Sequence, residues 1–533
     1  MKRLMCLVLS LILVIGLVAC GGDKPTSNTP GTSTPSTTPG TPGTPGTPAK
    51  PTKDTITFAY ETEPSSISPF HNDQIAAYYI TYLLNSGLFK NTVNGVEPDL
   101  CTEYKVEKDA NGEETIWVMK LREGVKFSDG SDLTSQDVVD SLLFARDGEG
   151  VSSKSLAGFI KNVETDGDYG IKLYTNGVFS AVPSSLANKK MYIVPSEQLK
   201  DVEKLKNAPI GSGPYKLVKW NKGESLEMTI NEHYYDKDHM PTIKNINWKI
   251  LAEGTSRTMS LEAGETDFVI SVDALDLPRL QKETDKYTVS ITNGSMYCYL
   301  LTNNNREPFN DVNFRRFLGA AINREDVIDV ALGGYGTPIY GGLNIVIDGC
   351  TEEGAIKYDP AKAKEYLKAW GGDPSKVEFD IVVATDVRRR MAEVIQNALL
   401  EYGIKCNVQF EESANVSKMT GSGEFDTIIF AYTTNDYNLF LKQLYYPVAG
   451  GSMFKNTINQ KDASKDAAVE AILKELDPAK RTQMITELNK VINPQQLVTP
   501  LYCSNVLLAY DKNLSGVEVD SMGFFRVEDF RWN

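Results

Sequence analysis

The chain has 533 residues, 41% of them hydrophobic and 9% aromatic, with a formal net charge of −15. That apolar content supports a well-packed globular protein of two or three lobes. The acidic balance argues against a polyanionic ligand such as nucleic acid.

Met1-Lys2-Arg3 is a short basic start, and an apolar run from Leu4 to Val18 follows. The run ends in Leu17-Val18-Ala19-Cys20, with Gly21 and Gly22 behind it. A basic head, an apolar middle and small residues at the cut define an export signal. A cysteine directly after Leu-x-Ala is a lipobox, so residues 1–19 are predicted to be removed and Cys20 to be acylated. Two or more acyl chains hold a protein on a membrane stably. Residues 20–53 then carry the lipidated cysteine and a stalk of Pro, Thr, Gly and Ser. Such a stretch has too little apolar surface to offset its ordering entropy.

The folded part begins near Asp54. Asp54 to Tyr60 alternates, with Ile56, Phe58 and Tyr60 on one face, and predicts a strand. Gln74 to Ser86 reads as an apolar-rich helix and Trp117 to Leu121 as a strand. Thr134 starts a helix, with Asp137 completing a capping box and Val138, Val139, Leu142 and Leu143 inward. Ala208 to Val218 is a glycine-rich turn running into a strand, and Glu227 to Asn231 is the next. Thr255 to Ala263 is a short helix ended by Gly264. Thr288 to Thr292 and Met296 to Thr302 are strand candidates.

The second half is more regular. Asp311 to Asn323 carries Phe314, Phe317, Leu318 and Ala321 at helical spacing. Asp359-Pro360 is a cap followed by proline at the first helical position. Glu378 to Ala384, Asp386 to Tyr402 and Ile404 to Phe410 form a strand–helix–strand unit, expected to be right-handed with parallel strands. Phe425 to Tyr432 is mostly apolar and so predicted to be a central strand. Pro478 to Val491 is a helix, and Leu497 to Tyr510 holds one or two last strands. The class is α/β in more than one lobe.

Enzyme and metal signatures are missing. The three histidines do not share a zinc-ligand spacing. There is no G-x-S-x-G elbow, no phosphate-binding G-x-x-x-x-G-K-[ST] loop and no C-x-x-C. Gly211-Ser212-Gly213-Pro214 leads into a strand, so it offers no helix N-terminus to an anion. After Cys6 and Cys20 are set aside, Cys101, Cys298, Cys350, Cys406 and Cys503 remain. Their scatter and odd number do not make a disulfide framework. No metal, no cofactor and no catalytic residue is expected.

Several segments together resemble extracellular solute-binding protein family 5, in its peptide-binding branch that serves ABC importers. They are Lys120-Leu121-Arg122-Glu123-Gly124-Val125-Lys126-Phe127-Ser128-Asp129-Gly130 with Leu133-Thr134-Ser135-Gln136-Asp137-Val138-Val139; Ile210-Gly211-Ser212-Gly213-Pro214-Tyr215 with Asn231-x-x-Tyr234-Tyr235-Asp236; Glu262-Ala263-Gly264-Glu265-Thr266-Asp267; Pro308-Phe309-Asn310-Asp311-Val312 through Arg324-Glu325; and Tyr358-Asp359-Pro360. Most of these residues are turns and caps. The resemblance implies a two-lobed periplasmic-binding-protein-like fold with a small inserted third domain. The first lobe is then expected at 54–97, 207–293 and 507–533, the insert at 98–206, and the second lobe at 294–506. Crossovers are expected near Asn293 to Met296 and Asn505 to Leu507.

The resemblance also implies a site. In the family's peptide binders, an aspartate in an Asp-Tyr-Asn-like segment after a central strand holds the ligand's amine. Asp436-Tyr437-Asn438 stands in the matching place, with a surface turn as the competing reading. Tyr432, Asp73, Ile75 and Tyr502 are weaker candidates for the cleft wall. The chain departs from the pattern by having no arginine between Phe425 and Asp436 and no proline shortly after the aspartate. The expected function is capture of short peptides by hinge closure, as a monomer held outside the cell membrane by lipid. Delivery is to an ABC permease with its ATPase subunits. The rival readings are another cargo on the same fold, such as an oligosaccharide or a metal chelate, and a surface sensor or adhesin.

Overall fold

The computed structural model describes residues 53–72, 74–446 and 462–533. The signal segment, Cys20 and Asp73 lie outside the described residues. Among those described, no helix is long and apolar enough to cross a membrane.

The chain opens with β1 (Thr55–Tyr60). Ile56, Phe58 and Tyr60 enter one core with Trp248 and Phe268, while Ala59 is buried in another with Leu261 and Val269. A strand buried on both faces belongs inside a sheet. Replacing fully buried Phe58 by alanine would cost about 3–5 kcal/mol. The predicted helix forms over Ile75–Leu84. A hairpin follows, β2 (Phe89–Thr92) and β3 (Gly95–Pro98).

A separate antiparallel sheet comes next: β4 (Cys101–Lys108), β5 (Glu114–Leu121), β6 (Ile160–Thr165) and β7 (Gly170–Thr175), in the order β4-β5-β7-β6. The Ser135–Asp147 helix packs into the same core through Val138, Val139 and Leu142. Its capping box forms as predicted, with the Thr134 N–H donating to Asp137 Oδ2 at 2.9 Å.

The chain then builds β8 (Tyr215–Asn221), β9 (Ser225–Ile230), β10 (Asn245–Ile250) and β11 (Phe268–Ile270). The glycine-rich turn before β8 is a close-packing device. A Cβ on Gly213 would stand 2.6 Å from the Leu83 carbonyl oxygen and the Asn85 nitrogen, so only glycine lets the turn lie there.

The remaining strands are β12 (Tyr287–Thr302), β13 (Gly336–Pro338), β14 (Glu378–Val383), β15 (Lys405–Phe410), β16 (Thr427–Thr433) and β17 (Thr499–Asp511). The large sheet runs β15-β14-β16-β12-β17-β11-β1-β10-β9-β8, with β13 beside β17. The strand–helix–strand unit is parallel, as predicted, and β16 is interior. Side chains alternate along β12, as strand geometry requires. Cys298 and Leu300 enter one core; Tyr297, Tyr299 and Leu301 enter the core on the other face.

One expectation is corrected. The sequence suggested two strands separated at 293–295, but β12 is continuous through that stretch. Its pairing with β17 is what breaks. Asn293 faces Asn505 and Tyr297 faces Cys503, so residues 294–296 stand against Ser504 alone. A bulge absorbs the surplus. A Cβ on Gly294 would meet the Ser504 carbonyl oxygen at 2.9 Å. Beside it, Thr337 Oγ1 donates to Asn293 Oδ1 at 2.7 Å and Asn505 Nδ2 donates to Thr337 Oγ1 at 3.2 Å.

Candidate ligand-binding site

Strand β16 ends at Thr433, and the chain turns through Thr434 and Asn435 into the Tyr437–Leu444 helix. Buried Asn344 holds this turn, donating from Nδ2 to the Ser295 carbonyl at 2.7 Å and the Thr434 carbonyl at 3.4 Å. The turn is thereby tied to the bulge in β12.

Asp436 is the helix N-cap. Its Oδ1 accepts the N–H groups of Asn438 at 2.7 Å and Leu439 at 3.1 Å. Those are donors that a helix start otherwise leaves without partners. Oδ2 accepts the Ser184 hydroxyl at 2.9 Å. Asp436 is only 9% exposed. Burial pushes its carboxyl above the usual range, and the hydrogen bonds and the charge of Lys442 pull part of the way back. Desolvation wins because hydrogen bonds to neutral donors do not replace a paired cation. The surface turn that the sequence left open is therefore a buried cap.

A carboxylate offers about four acceptor positions. Asn438 and Leu439 use two and Ser184 a third, so one remains on Oδ2. On the same helical turn, buried Asn438 keeps an amide oxygen with no hydrogen-bond partner among the described residues. A buried acceptor left unmade is costly, about 1–3 kcal/mol, unless something donates to it. The helix start thus presents two oxygens able to take N–H donors.

Tyr437 packs against two cores at once, the one under β4–β7 and the one under β12 and β16. Ser180 Oγ donates to the Leu473 carbonyl at 2.8 Å, so the Tyr437 hydroxyl, 2.8 Å away, donates to Ser180. The Arg481 guanidinium lies over the Tyr437 ring at 4.8 Å and Lys442 over Phe179 at 4.8 Å. Burial pushes the Tyr437 hydroxyl up to about 12. Tyr432, opposite Tyr297 in the sheet, is half-buried. Burial and the negative Asp436 nearby push its hydroxyl up to about 12.

Asp436, Tyr437, Asn438 and Tyr432 therefore form one group. Ile75 begins the Ile75–Leu84 helix and is exposed, and Tyr502 lies buried in the core with Cys298 and Leu300. Among the described residues no hydrogen bond or ring contact joins either of them to Asp436. Asp73 lies outside the described residues. Phe179, Ser180 and Ser184 were not anticipated. Ser184 is 252 positions from Asp436, and a hydroxyl in a run of small residues carries no local signal. No group of three or more His, Cys, Asp or Glu able to hold a metal occurs among the described residues.

The description "Bacterial extracellular solute-binding proteins, family 5 Middle" matches residues 95–452. The chain belongs to this family. Glutathione-binding protein GsiB of Escherichia coli (strain K12) is 25% identical over 441 residues, covering 81% of this chain and 85% of its own length. Among solved structures, HbpA2 from Haemophilus parasuis superposes with a TM-score of 0.80 at 20% identity, over 90% of this chain and 100% of its own. DppA from Helicobacter pylori in complex with peptide STSA gives 0.73 at 21% identity, over 90% and 98%. AppA from Bacillus subtilis in complex with a nonapeptide gives 0.71 at 21% identity, over 90% and 99%. The fold is the two-lobed α/β fold of family 5. The family 5 chain is thus of the substrate-binding type that serves ABC importers, with peptide-binding neighbours. Its relatives are extracellular solute-binding proteins and not enzymes.

Proposed function

We propose that this family 5 protein is the substrate-binding lipoprotein of an ABC importer, capturing short peptides between its lobes and delivering them to a membrane permease. Cys20 carries the lipid anchor, and the protein works as a monomer outside the cell membrane. The first lobe comprises 54–97, 207–293 and 507–533, the insert 98–206 and the second lobe 294–506. The chain crosses between lobes at the β12–β17 bulge.

The observation that carries the reading is the start of the Tyr437–Leu444 helix. A buried carboxylate with one free acceptor position stands there with an unpaired amide oxygen. A peptide brings an ammonium terminus with three donors, and a buried ammonium needs a carboxylate. Tyr432 walls the same place. Peptide backbone is read as an added extended segment, while roomy pockets tolerate varied side chains. Closure is favoured by contacts that exist only when the insert meets the second lobe. Ser184 on Asp436, Tyr437 on Ser180 and Ser180 on the Leu473 carbonyl are such contacts. A ligand shifts that equilibrium by its differential affinity for the closed form. The ligands named for the neighbours, glutathione, STSA and a nonapeptide, support a peptide cargo of undetermined length.

The test is direct. Purified protein is denatured and its released small molecules are identified by mass spectrometry, and calorimetry is run with peptide mixtures of two to nine residues. Peptides should be released and should bind with saturable heat. Recovery of a sugar or a metal chelate, with no heat from any peptide, overturns the reading. For the anchor, Cys20→Ser should release the protein from the membrane fraction.

A further inference from the structure

A cavity of about 150 Å³ lies between the β2–β3 hairpin and the C-terminal segment 516–529, and no residue from 294–506 lines it. The C-terminal segment turns tightly there. Asp520 Oδ1 accepts the N–H groups of Met522 and Phe524, both at 2.8 Å, and Gly523 adopts φ +85°. That turn presents the Phe524 ring beneath Lys189, whose Nζ stands 3.7 Å from the ring centroid.

Lys189 is the anomaly. It is 7% exposed and lines the cavity. Yet its ammonium has neither a hydrogen bond nor a carboxylate within 4.0 Å among the described residues. Its stem is buried while the ammonium opens into the cavity, where the Phe524 face offsets only part of the lost hydration. Burial holds the ammonium below the usual lysine range, and the Asp520 charge pulls it part of the way back. The other cation in the wall, Arg526, is committed, its Nε donating to Glu528 at 3.0 Å and facing Asp529 at 3.2 Å.

The charges are arranged by depth. The free cation is at the bottom. Asp520 is partly exposed and Glu518 is exposed at the rim. A simple anion would meet Lys189 but would pass carboxylates on its way in. A simple cation would be repelled at the bottom. A molecule with a carboxylate at one end and an ammonium at the other satisfies both levels. A cavity of this volume admits a benzene-sized guest and not a peptide. We propose that this cavity binds a free small α-amino acid, carboxylate on Lys189 and ammonium between Asp520 and Glu518, at a second site separate from the peptide cleft.

Calorimetry on the purified protein with L-alanine, acetate and methylammonium tests it. Alanine should bind saturably, and acetate and methylammonium each at least tenfold more weakly. Lys189→Met should weaken alanine at least tenfold and leave peptide binding at Asp436 unchanged. Glu518→Gln, at an exposed position where folding is not at stake, should weaken alanine severalfold and acetate not at all. Asp436→Asn should leave alanine binding as it is. No heat with alanine means a cavity that holds water only, and overturns the proposal. So does alanine binding that survives Lys189→Met, or acetate binding as tightly as alanine.

Discussion

Two buried charges, Asp436 at the start of the Tyr437–Leu444 helix and Lys189 in the wall of the cavity beside the C-terminal segment, are treated in opposite ways. Asp436 is nearly filled: two backbone donors from its own helix and a hydroxyl from a distant segment. Lys189 has a ring below it and no acceptor beside it. The difference separates a charge that the fold uses from a charge that the fold merely holds. A satisfied buried charge is part of the architecture, and a ligand must share it. An unsatisfied one leaves its whole bonding capacity to whatever enters.

The largest effect expected is that of Asp436→Ala. It removes the proposed amine partner and should weaken peptide binding at least tenfold by calorimetry. It also removes a helix cap and strands the Ser184 hydroxyl, so unfolding should become easier by about 1–2 kcal/mol. Asp436→Asn separates the two roles, because asparagine caps a helix as well as aspartate does. It should lose peptide affinity and keep stability. If it keeps both, Asp436 is a cap and nothing more.

The two charges also give opposite pH signatures. Burial raises the folded Asp436 carboxyl above its unfolded value. Between those values the folded state holds more protons, so this group's contribution to cargo-free stability falls as pH rises. If Asp436 is the partner of the peptide amine, peptide affinity should move the other way, rising as Asp436 ionises. Burial lowers the folded Lys189 ammonium below its unfolded value of about 10.5. There the unfolded chain holds more protons, so stability rises as pH climbs through the folded value. Difference titrations of unfolding, native protein against Asp436→Asn and against Lys189→Met, should slope in opposite directions. Slopes of one sign would mean that the two sites are not the opposites described.

Much of the frame was legible in the sequence, because local patterns produce local structure. Thr134 and Asp137 spell a capping box three residues apart, and the Glu378 to Phe410 unit announces its parallel strands by periodicity. What failed was whatever depended on partners far along the chain. Residues 293–295 read as a break because Gly294 and its polar neighbours resemble a loop, yet pairing with β17 before the bulge and with β16 from Met296 carries the strand through. Asp436 read as an even choice between a ligand anchor and a surface turn, since burial depends on Ser184 and the core around Tyr437. Lys189-Lys190 looks like ordinary surface charge, and nothing nearby says that Phe524 folds over the first of the pair.

A smaller effect is expected from Ser184→Ala. The lost hydrogen bond to Asp436 is worth about 1 kcal/mol, roughly a fivefold shift in an open–closed equilibrium. Small-angle scattering of the cargo-free protein should show a larger mean radius than the native chain. Tyr437→Phe, which removes the hydrogen bond to Ser180, should act in the same direction and by less. If neither variant changes the scattering while peptide still binds, closure does not depend on these contacts.

The smallest effect belongs to Thr337→Val, and it tests where the closing energy resides. Thr337 Oγ1 joins Asn293 and Asn505 beside the bulge, at positions open to solvent. Water replaces an exposed hydrogen bond readily, so the loss should be about 0.5 kcal/mol in unfolding and within about twofold in peptide affinity. The three residues lie on paired strands, so under the proposed closure the bond should be made in both forms and bias neither. Ser184 meets Asp436 between the two cores, so under the proposed closure its bond is made in the closed form alone. Only a differential contact can move an equilibrium. Thr337→Val should therefore leave the scattering radius unchanged while Ser184→Ala raises it. An equal or larger response to Thr337→Val would place the closing energy in the crossing strands and remove Asp436 from that role.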